Sequence, residues 1–278
     1  MIRIGRYAVH AIPSGDFALD GGSMFGVVPR PIWEKSNPPD ERNRIALAMR
    51  LLLLRGPGRT WLVDTGVGDK WGDKENTIYR VENALLPDEA LRRAGFDPGE
   101  ITDVLLTHFH FDHGGGSTRR DGTPVFPNAR HHVQRRQLEW ARDPAPKDRA
   151  SYRPPDFMPL YEQGLLVLHD GRDEIADGIE VLPMEGHTEA MQVVRVFDRE
   201  TSLLYVADLV PTRSHIRLPF VMAYDNRPLQ TMREKEELLS RAADEGWILF
   251  FEHDPGCAAC RVVRGGRDFE PGPEVTFA

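Results

Sequence analysis

The sequence of 278 residues contains only two cysteines, Cys257 and Cys260. Two thiols cannot cross-link a chain of this size, so a disulfide-rich secreted scaffold is excluded. The pair forms the motif CAAC, and the chain offers no second cysteine pair that would complete a structural zinc site. We therefore expect two reduced thiols on a surface loop of a cytoplasmic protein.

Long apolar runs are also missing, and we expect no secretory leader. The most apolar stretch, IALAMRLLLL, is interrupted by Arg50 and is too short to cross a bilayer. The amino-terminal residues lack the continuous apolar region of a signal peptide. Basic runs are short and the net charge is −8, which argues against a nucleic-acid-binding surface. We expect a protein that acts on a small molecule, with neither membrane nor nucleic acid as a partner.

Apolar periodicity predicts strands interspersed with helices in a single domain over 1–278. Residues 44–54 alternate as a half-buried strand does, and a Gly-Pro-Gly turn leads to a second strand that ends in LVDTG. Residues 82–95 are predicted to form a helix closed by Gly95. Later predictions are strands at 165–169, 178–183, 191–197 and 202–206, a helix from Pro228 to Gly246, and a last strand WILFF.

Two segments stand apart from this pattern. Residues 1–43 are predicted to be an amino-terminal extension of strand and loop. Residues 142–160 are rich in Pro, Arg and Asp, which is typical of an excursion over the surface, and they are predicted to form a lid.

The stretch THFHFDHGGG contains His108, His110, Asp112 and His113. Crowded histidines repel one another when protonated, and a buried carboxylate without a partner is unfavourable, so a cation is expected among them. Side chains two residues apart in an extended segment point the same way, so His108 and His110 can bind one ion together. Four ligands at one point suit two neighbouring ions better than one, and a pair of ions needs further donors.

Three such donors follow predicted strands. His187, Asp208 and His253 each stand where an apolar stretch ends, and strand ends are where active sites assemble in layered α/β folds. The remaining histidines are expected to have structural or surface roles instead of binding the metal; they are His10, His131, His132, His169 and His215.

In this combination the sequence resembles the metallo-β-lactamase superfamily over roughly residues 44 to 255. The resemblance implies an αββα sandwich with two metal ions at one edge of its two sheets. By the same resemblance, His108, His110 and His187 hold one metal, Asp112, His113 and His253 hold the other, and Asp208 bridges both. Asp64, in LVDTG, matches a family aspartate near the site and is expected to orient ligands.

Within the superfamily, the sequence is most similar to the quorum-quenching lactonase-like branch. The similarity lies in MFGVVPRPIWEK (24–35), in HFDH, and in ADLVPT and PFVMAYD within 207–225. Lactonases of the well-known type carry a tyrosine three residues after the bridging aspartate, and this chain has Pro211 there. The sequence GHTEAM also departs from the usual Gly-His-Thr-Pro-Gly-His, although the ligand His187 is present.

The expected function is a dinuclear metal-dependent hydrolase that opens a lactone or a related ester. Two divalent ions about 3.5–4 Å apart can share a hydroxide, which attacks the carbonyl at neutral pH. Asp112 is expected to shuttle the proton, and Tyr224 or His215 to assist the oxyanion. Zinc is the expected metal, although iron, manganese or cobalt also suit these ligands. The predicted substrate pocket consists of Phe25, Trp33, Phe111, Phe220 and Met222.

Alternative functions remain open from the sequence. The same metals can cleave a phosphotriester or an aryl ester. The fold also hosts iron-dependent redox enzymes, but the diiron oxygen reductases have Glu where this chain has His110, which favours hydrolysis. A homodimer is the expected assembly.

Overall fold

The computed structural model describes residues 1–266 and 268–277, so Arg267 and Ala278 of the predicted domain lie outside the described part. The strands of the first half are β1 (Ile2–Ile4), β2 (Tyr7–Asp20), β3 (Arg44–Gly56), β4 (Arg59–Val63), β5 (Asp103–Leu105), β6 (Arg130–Gln134) and β7 (Leu166–His169). Those of the second half are β8 (Asp173–Ala176), β9 (Ile179–Met184), β10 (Met191–Phe197), β11 (Ser202–Tyr205), β12 (Ile248–Phe250), β13 (Ala259–Gly265) and β14 (Asp268–Glu274).

Short helices connect many of these strands. The α-helices are α1 (Gly21–Phe25), α2 (Arg30–Trp33), α3 (Asp73–Tyr79), α4 (Pro87–Arg93), α5 (Phe111–Gly114), α6 (Arg135–Arg142), α7 (Pro154–Glu162) and α8 (Pro228–Glu245). Single 3₁₀ turns lie at Pro98–Glu100, Gly115–Ser117, Arg149–Ser151, Ala207–Leu209 and Arg213–Ile216. Throughout the described ranges, none of the helices is long and apolar enough to cross a membrane.

The strands form two mixed sheets of seven strands each. The first sheet runs in sequence order from β1 to β7; its first three junctions are antiparallel and its last three are parallel. The second sheet has the order β14-β13-β12-β11-β10-β9-β8, and only its β11–β12 junction is parallel. Parallel strands end at the same edge of a sheet, so β4 and β5 deliver the residues that follow them to one place.

Apolar side chains fill the space between and around the sheets. Leu52 and Val63 of the first sheet belong to the same buried cluster as Val193 and Phe250 of the second, with Leu239 of α8 packed on that cluster. A separate buried cluster joins the first sheet to α4, α6 and α7. The layers are therefore helix, sheet, sheet and helix, and the predicted αββα sandwich is confirmed.

Several predicted elements agree with the structure. The 44–54 strand is β3, which pairs with β4 as the predicted hairpin. The predicted late helix is α8, which has Pro228 at its start and ends at Gly246 with φ of +68°. The helix predicted for 82–95 is shorter, because α4 begins at Pro87: proline fits the first turn of a helix but lacks the N–H needed further in.

The two segments predicted to stand apart pack closely on the rest of the chain. Strand β2 pairs with β3 along almost its whole length, and Phe25 and Trp33 after it are buried. Within 142–160, Asp148 and Phe157 are buried, and α7 begins at Pro154. Opening of this segment as a lid stays a prediction.

The predicted surface position of the CAAC motif is wrong. Both thiols are free, as expected, but Cys257 and Cys260 are buried. Cys260 belongs to β13, where it pairs with Leu249 of β12 and joins the apolar cluster between the sheets. A small apolar thiol suits this buried position. The polar Asp-Pro-Gly sequence just before the motif had suggested a surface loop instead.

Candidate metal centre and its cavity

The predicted metal ligands all follow strands that end at one edge of the sandwich. His108 and His110 come after β5, and Asp112 and His113 lie in the short helix α5. From the second sheet, His187 follows β9, Asp208 lies in the turn after β11, and His253 follows β12. All seven side chains are buried, so the structure brings together every residue that the sequence proposed as a ligand.

The glycines after His113 allow the ligand loop to lie directly on the loop after β4. A Cβ atom on Gly115 would come within 2.5 Å of the Val67 carbonyl oxygen, and one on Gly116 within 2.1 Å of the Thr65 carbonyl oxygen. Any side chain at either position would therefore push the two backbones apart.

The first ligand group consists of His108, His110, His187 and Asp208, which offer ligand atoms within 4.8 Å of one another. His110 Nδ1 lies 3.1 Å from His187 Nε2, which in turn lies 3.2 Å from Asp208 Oδ2. His108 Nε2 is buried and finds no hydrogen-bond partner within the part of the chain that the structure describes. These nitrogens face a common point without a protein donor there.

The second ligand group consists of Asp112, His113 and His253. His113 Nε2 and His253 Nε2 are 3.2 Å apart, and each lies 3.4 Å from Asp208 Oδ1. The two oxygens of Asp208 thus face different groups, Oδ2 the first and Oδ1 the second. This is the arrangement that a bridging carboxylate requires.

Hydrogen bonds on the far side of the rings determine which nitrogens face inward as acceptors. The Ala48 carbonyl oxygen can only accept, so His253 Nδ1, 2.9 Å away, carries a proton. His113 Nδ1 donates to Asp64 Oδ2 at 3.0 Å, and the Glu252 carboxylate lies beside the same nitrogen at 2.8 Å. If both rings were neutral, their Nε2 atoms would direct lone pairs at each other, and a positive charge between them, from a proton or a metal ion, would remove this conflict.

The charge of the site also favours bound cations. Five buried carboxylates surround the five imidazoles of the two groups; they are Asp64, Asp112, Asp208, Asp225 and Glu252. Two divalent ions would supply four positive charges against these five formal negative ones. Burial opposes a charge on His253, but Glu252 and Asp208 outweigh burial and raise the pKa of His253 to about 9. The donor set, the facing nitrogens and this demand for positive charge all fit a pair of metal ions.

Carboxylates behind the ligands orient the rings. Thr107 donates to Asp64 from both its backbone N–H (2.7 Å) and its hydroxyl (2.8 Å), which leaves Asp64 Oδ2 directed at His113. On the other side, His187 Nδ1 lies 2.9 Å from Asp225 Oδ1. Such partners fix the tautomer and the orientation of a ligating histidine. Asp64 is therefore placed as the sequence proposed.

Both groups open into a cavity of about 210 Å³. Of the residues proposed for catalysis or substrate binding, Asp112, Tyr224, Phe111 and Met222 line it. Burial raises the pKa of Tyr224 to about 12, so its hydroxyl stays protonated as a donor. Apolar side chains that pack together form one part of the cavity lining, and Lys147, Asp148 and Ser151 from the segment predicted as a lid form another.

Four other proposed residues do not line the cavity. Phe25 stacks on Trp33 and on His215, with ring centroids 5.4 and 4.6 Å apart, and meets Phe220 edge-on at 5.8 Å. Both ring nitrogens of His215 are engaged, one with Thr212 Oγ1 at 2.8 Å and the other with the Met24 carbonyl at 2.8 Å. These aromatic rings pack behind the cavity because they fill the space between α1, α2 and the 3₁₀ turn that carries His215.

Sequence reasoning missed much of the cavity and two partners of the ligands. The cavity-lining residues that it did not propose are Leu19, Met24, Leu47, Tyr79, Lys147, Asp148, Ala150, Ser151 and Ala223. Glu252 and Asp225 were also missed, although Glu252 precedes His253 and Asp225 ends the quoted PFVMAYD. An acidic residue directly after an apolar stretch was the available signal in both cases.

Comparison with known proteins agrees with this geometry. The family model of the Metallo-beta-lactamase superfamily matches residues 51–253. An N-acyl homoserine lactonase of Bacillus thuringiensis is 25% identical over 206 residues, which cover 69% of this chain and 76% of the relative. The crystal structure of a probable metal-dependent hydrolase from Staphylococcus aureus superposes with a TM-score of 0.91 at 28% identity and covers all of both chains. AidC, a dizinc quorum-quenching lactonase solved with its product N-hexanoyl-L-homoserine, gives a TM-score of 0.84 at 21% identity over 100% of this chain and 97% of its own.

Proposed function

This chain is a metallo-hydrolase that belongs to the metallo-β-lactamase superfamily, and from that premise we propose that it is a dinuclear lactonase. The substrate would be a lactone that carries an apolar chain. The observation that carries the proposal is that two His/Asp groups share the Asp208 carboxylate at the floor of a cavity with one apolar side. Similarity to N-acyl homoserine lactonases supports the lactone as the substrate class.

His108, His110 and His187 would hold one ion and Asp112, His113 and His253 the other, with Asp208 between them. Zinc suits this donor set. When bound, two divalent ions supply a water of lowered pKa as the nucleophile and polarise the ester carbonyl.

The chain itself contributes proton transfer and a hydrogen bond. The Asp112 carboxyl lines the cavity, and its Oδ2 lies 3.7 Å from His253 Nε2. Asp112 would accept a proton from the attacking water and return it to the leaving alkoxide. The Tyr224 hydroxyl would donate to the carbonyl oxygen. It would take the role of the tyrosine that well-known lactonases carry three residues after the bridging aspartate, where this chain has Pro211.

The cavity wall explains why an apolar substituent would bind. Leu19, Met24, Leu47 and Met222 line one side, and burying a chain of CH₂ groups against them contributes about 0.8 kcal/mol for each group. Water would be excluded from the same side, which strengthens the interactions at the reacting carbonyl.

Proton release by the metal-replete protein tests the proposal. The panel consists of acyl-homoserine lactones, simple γ- and δ-lactones, aryl esters and a phosphotriester. We expect rapid acidification with the acylated lactones, abolished by a chelator and restored by zinc. Hydrolysis of the triester or the aryl ester, with no hydrolysis of any lactone, would contradict the proposal. It would mean that the change to Pro211 accompanies a change of substrate.

A further inference from the structure

One wall of the cavity is an irregular stretch of chain, residues 217–225, which we call the wall segment. Met222, Ala223 and Tyr224 of this segment line the cavity. The segment belongs to neither a helix nor a strand, and turn bonds within it reach only the Arg217, Pro219 and Met222 carbonyls, so further donors must come from elsewhere. Two lysines supply most of those donors.

Lys235 lies in α8 and is fully buried. Its ammonium nitrogen lies 2.8 Å from the carbonyl oxygens of Arg217 and Phe220 and 3.4 Å from that of Leu218. An ammonium group has three protons and no acceptor, so these three carbonyls can take all of them. A buried cation without such partners would be strongly unfavourable, which indicates that the lysine and the turn at 217–220 depend on each other.

Lys147 holds the other end of the same segment from the opposite side. This residue lies in the turn before the Arg149–Ser151 helix and lines the cavity mouth. Its ammonium nitrogen donates to the carbonyl oxygens of Ala223 at 2.9 Å and Tyr224 at 2.8 Å. The wall segment is therefore held by one lysine from the interior and by another from the entrance.

The link between the wall segment and the metal ligands does not involve either lysine. Just beyond it, the Asn226 N–H donates to the His187 carbonyl at 2.9 Å, and the Arg227 N–H donates to the Gly186 carbonyl at 2.8 Å. These backbone bonds keep Asp225 beside His187. Loss of a lysine should therefore disturb the cavity wall and leave the metal groups in place.

We propose that Lys235 and Lys147 are positioning residues that fix the wall segment and thereby set which acyl chains the cavity accepts. The proposal rests on the lactone hydrolysis proposed above. Neither lysine needs to touch the reacting atoms: each holds backbone carbonyls, and the backbone places the Met222 and Tyr224 side chains. When the donors are removed, the wall relaxes, and binding of the long acyl chain suffers more than the chemical step.

The test uses full-length, metal-replete Lys235→Met and Lys147→Met, with Lys235→Arg to restore donors and the exposed Lys35→Met as the matched control. Steady-state kinetics are measured on lactones of increasing acyl-chain length. In both methionine variants we expect KM for the long-chain lactone to rise about tenfold and metal content to stay unchanged, while kcat falls by less than KM rises because the Tyr224 hydroxyl moves with the wall. Lys235→Arg should recover part of the effect, and Lys35→Met should match the wild type.

Hydrogen–deuterium exchange gives a second readout that does not depend on turnover. Amides of 217–225 should exchange faster in both methionine variants than in the wild type, while those of α8 away from position 235 stay protected. Unchanged exchange and an unchanged dependence of KM on chain length would overturn the proposal. If Lys235→Met fails to fold, Lys147→Met, at an exposed position, decides by the same two measurements.

The two proposals fail in different ways. If the wild type hydrolyses no lactone, the proposed function is wrong, and the exchange measurement alone decides whether the lysines hold the wall. If lactones are hydrolysed but the variants lose kcat together with metal, the lysines support the metal centre and the positioning role for the acyl chain is overturned.

Discussion

Clusters of histidine and aspartate lie at both ends of the short strand β5, but they differ in whether their polar atoms find partners within the chain. At its amino end, Asp103 is fully buried and accepts from Arg59 (2.9 Å), Arg130 (3.1 Å) and His132 (2.9 Å). At its carboxyl end, His108 begins a cluster in which the Nε2 atoms of His113 and His253 face each other, and His108 Nε2 and His110 Nε2 find no hydrogen-bond partner among the described residues. The first cluster satisfies its own charge, whereas the second requires a cation from outside the chain.

This difference separates a structural cluster from a functional one better than composition does. His132 and its neighbour His169 form a contact of 3.0 Å between ring nitrogens, close to the 3.2 Å of the His113–His253 pair at the metal centre. The other nitrogen of His132, however, donates to Asp103, so its inward nitrogen is a simple acceptor for an N–H of His169. A proton satisfies that pair, and no metal is needed.

Of the substitutions that test the difference between the two clusters, Asp208→Asn should have the largest effect. The substitution keeps the size of the side chain and removes the charge shared by the two ligand groups. We expect metal content to fall and hydrolytic activity to drop by roughly 100-fold or more. Metal analysis after dialysis and lactone hydrolysis measure both effects. Asp103→Asn, treated in parallel, should keep its metal; full metal content in Asp208→Asn would show that this aspartate does not bridge.

Asp225→Asn should weaken metal binding without abolishing it. Asp225 accepts from His187 Nδ1, and an amide at this position holds the ring less firmly. Loss of such a partner lowers metal affinity by about 10–100-fold. Competition with a chromophoric chelator measures the affinity, and Asp244→Asn, in an exposed pair with Arg264, serves as the control. Equal metal affinities in the two variants would mean that Asp225 does not help to orient the His187 ring.

Asp103→Asn should affect stability and leave catalysis unchanged. The substitution removes the carboxylate from under Arg59, Arg130 and His132, two of which reach solvent and can be hydrated again. We expect the free energy of unfolding to fall by about 2 kcal/mol, as measured by urea denaturation. kcat should stay within about twofold of the wild type, because the two clusters share no side chain. A large loss of kcat would show that the ends of β5 are coupled.

The smallest expected effect is the pH dependence of the contribution that Asp103 makes to the free energy of unfolding. Burial raises the pKa of Asp103, but His132 and Arg59 outweigh burial and hold it well below the usual 3.8. The unfolded chain therefore binds this proton at a higher pH than the folded one, so the contribution is present above about pH 4 and is lost as pH falls further. The difference in unfolding free energy between wild type and Asp103→Asn should shrink from about pH 6 to about pH 3. If the difference in unfolding free energy grows on acidification, the pKa of Asp103 is not lowered in the folded protein.

The metal centre was predictable from the sequence because its signals are local. His108, His110, Asp112 and His113 lie within six residues, and His187, Asp208 and His253 each mark the end of an apolar stretch. The apolar pattern also sufficed for strands interspersed with helices in one domain, since period and turn residues agree along β3, β4 and α8, whereas the αββα sandwich came from the family resemblance. Asp64 was found through its motif.

The cavity was much harder to predict because its walls come from distant parts of the chain. Leu19 of β2, Leu47 of β3 and Tyr79 of α3 meet only after folding, and none of them lies in a recognisable pattern. Large aromatic residues such as Phe25 and Trp33 suggested a pocket, but burial of aromatic rings is the normal way to fill a core. The buried CAAC motif and Lys235 likewise show residues whose environment is decided by tertiary packing.

Because the proposed ligands are divided between the two sheets, bound metal ions would link the sheets as well as take part in the reaction. His108, His110, Asp112 and His113 belong to connections of the first sheet, and His187, Asp208 and His253 to those of the second. An ion held by both therefore binds the assembled sandwich and not the separated halves. By linkage, each tenfold excess of free metal over its dissociation constant adds about 1.4 kcal/mol to the stability of the fold. Metal supply would then regulate how much folded protein a cell keeps, in addition to how much of it is active.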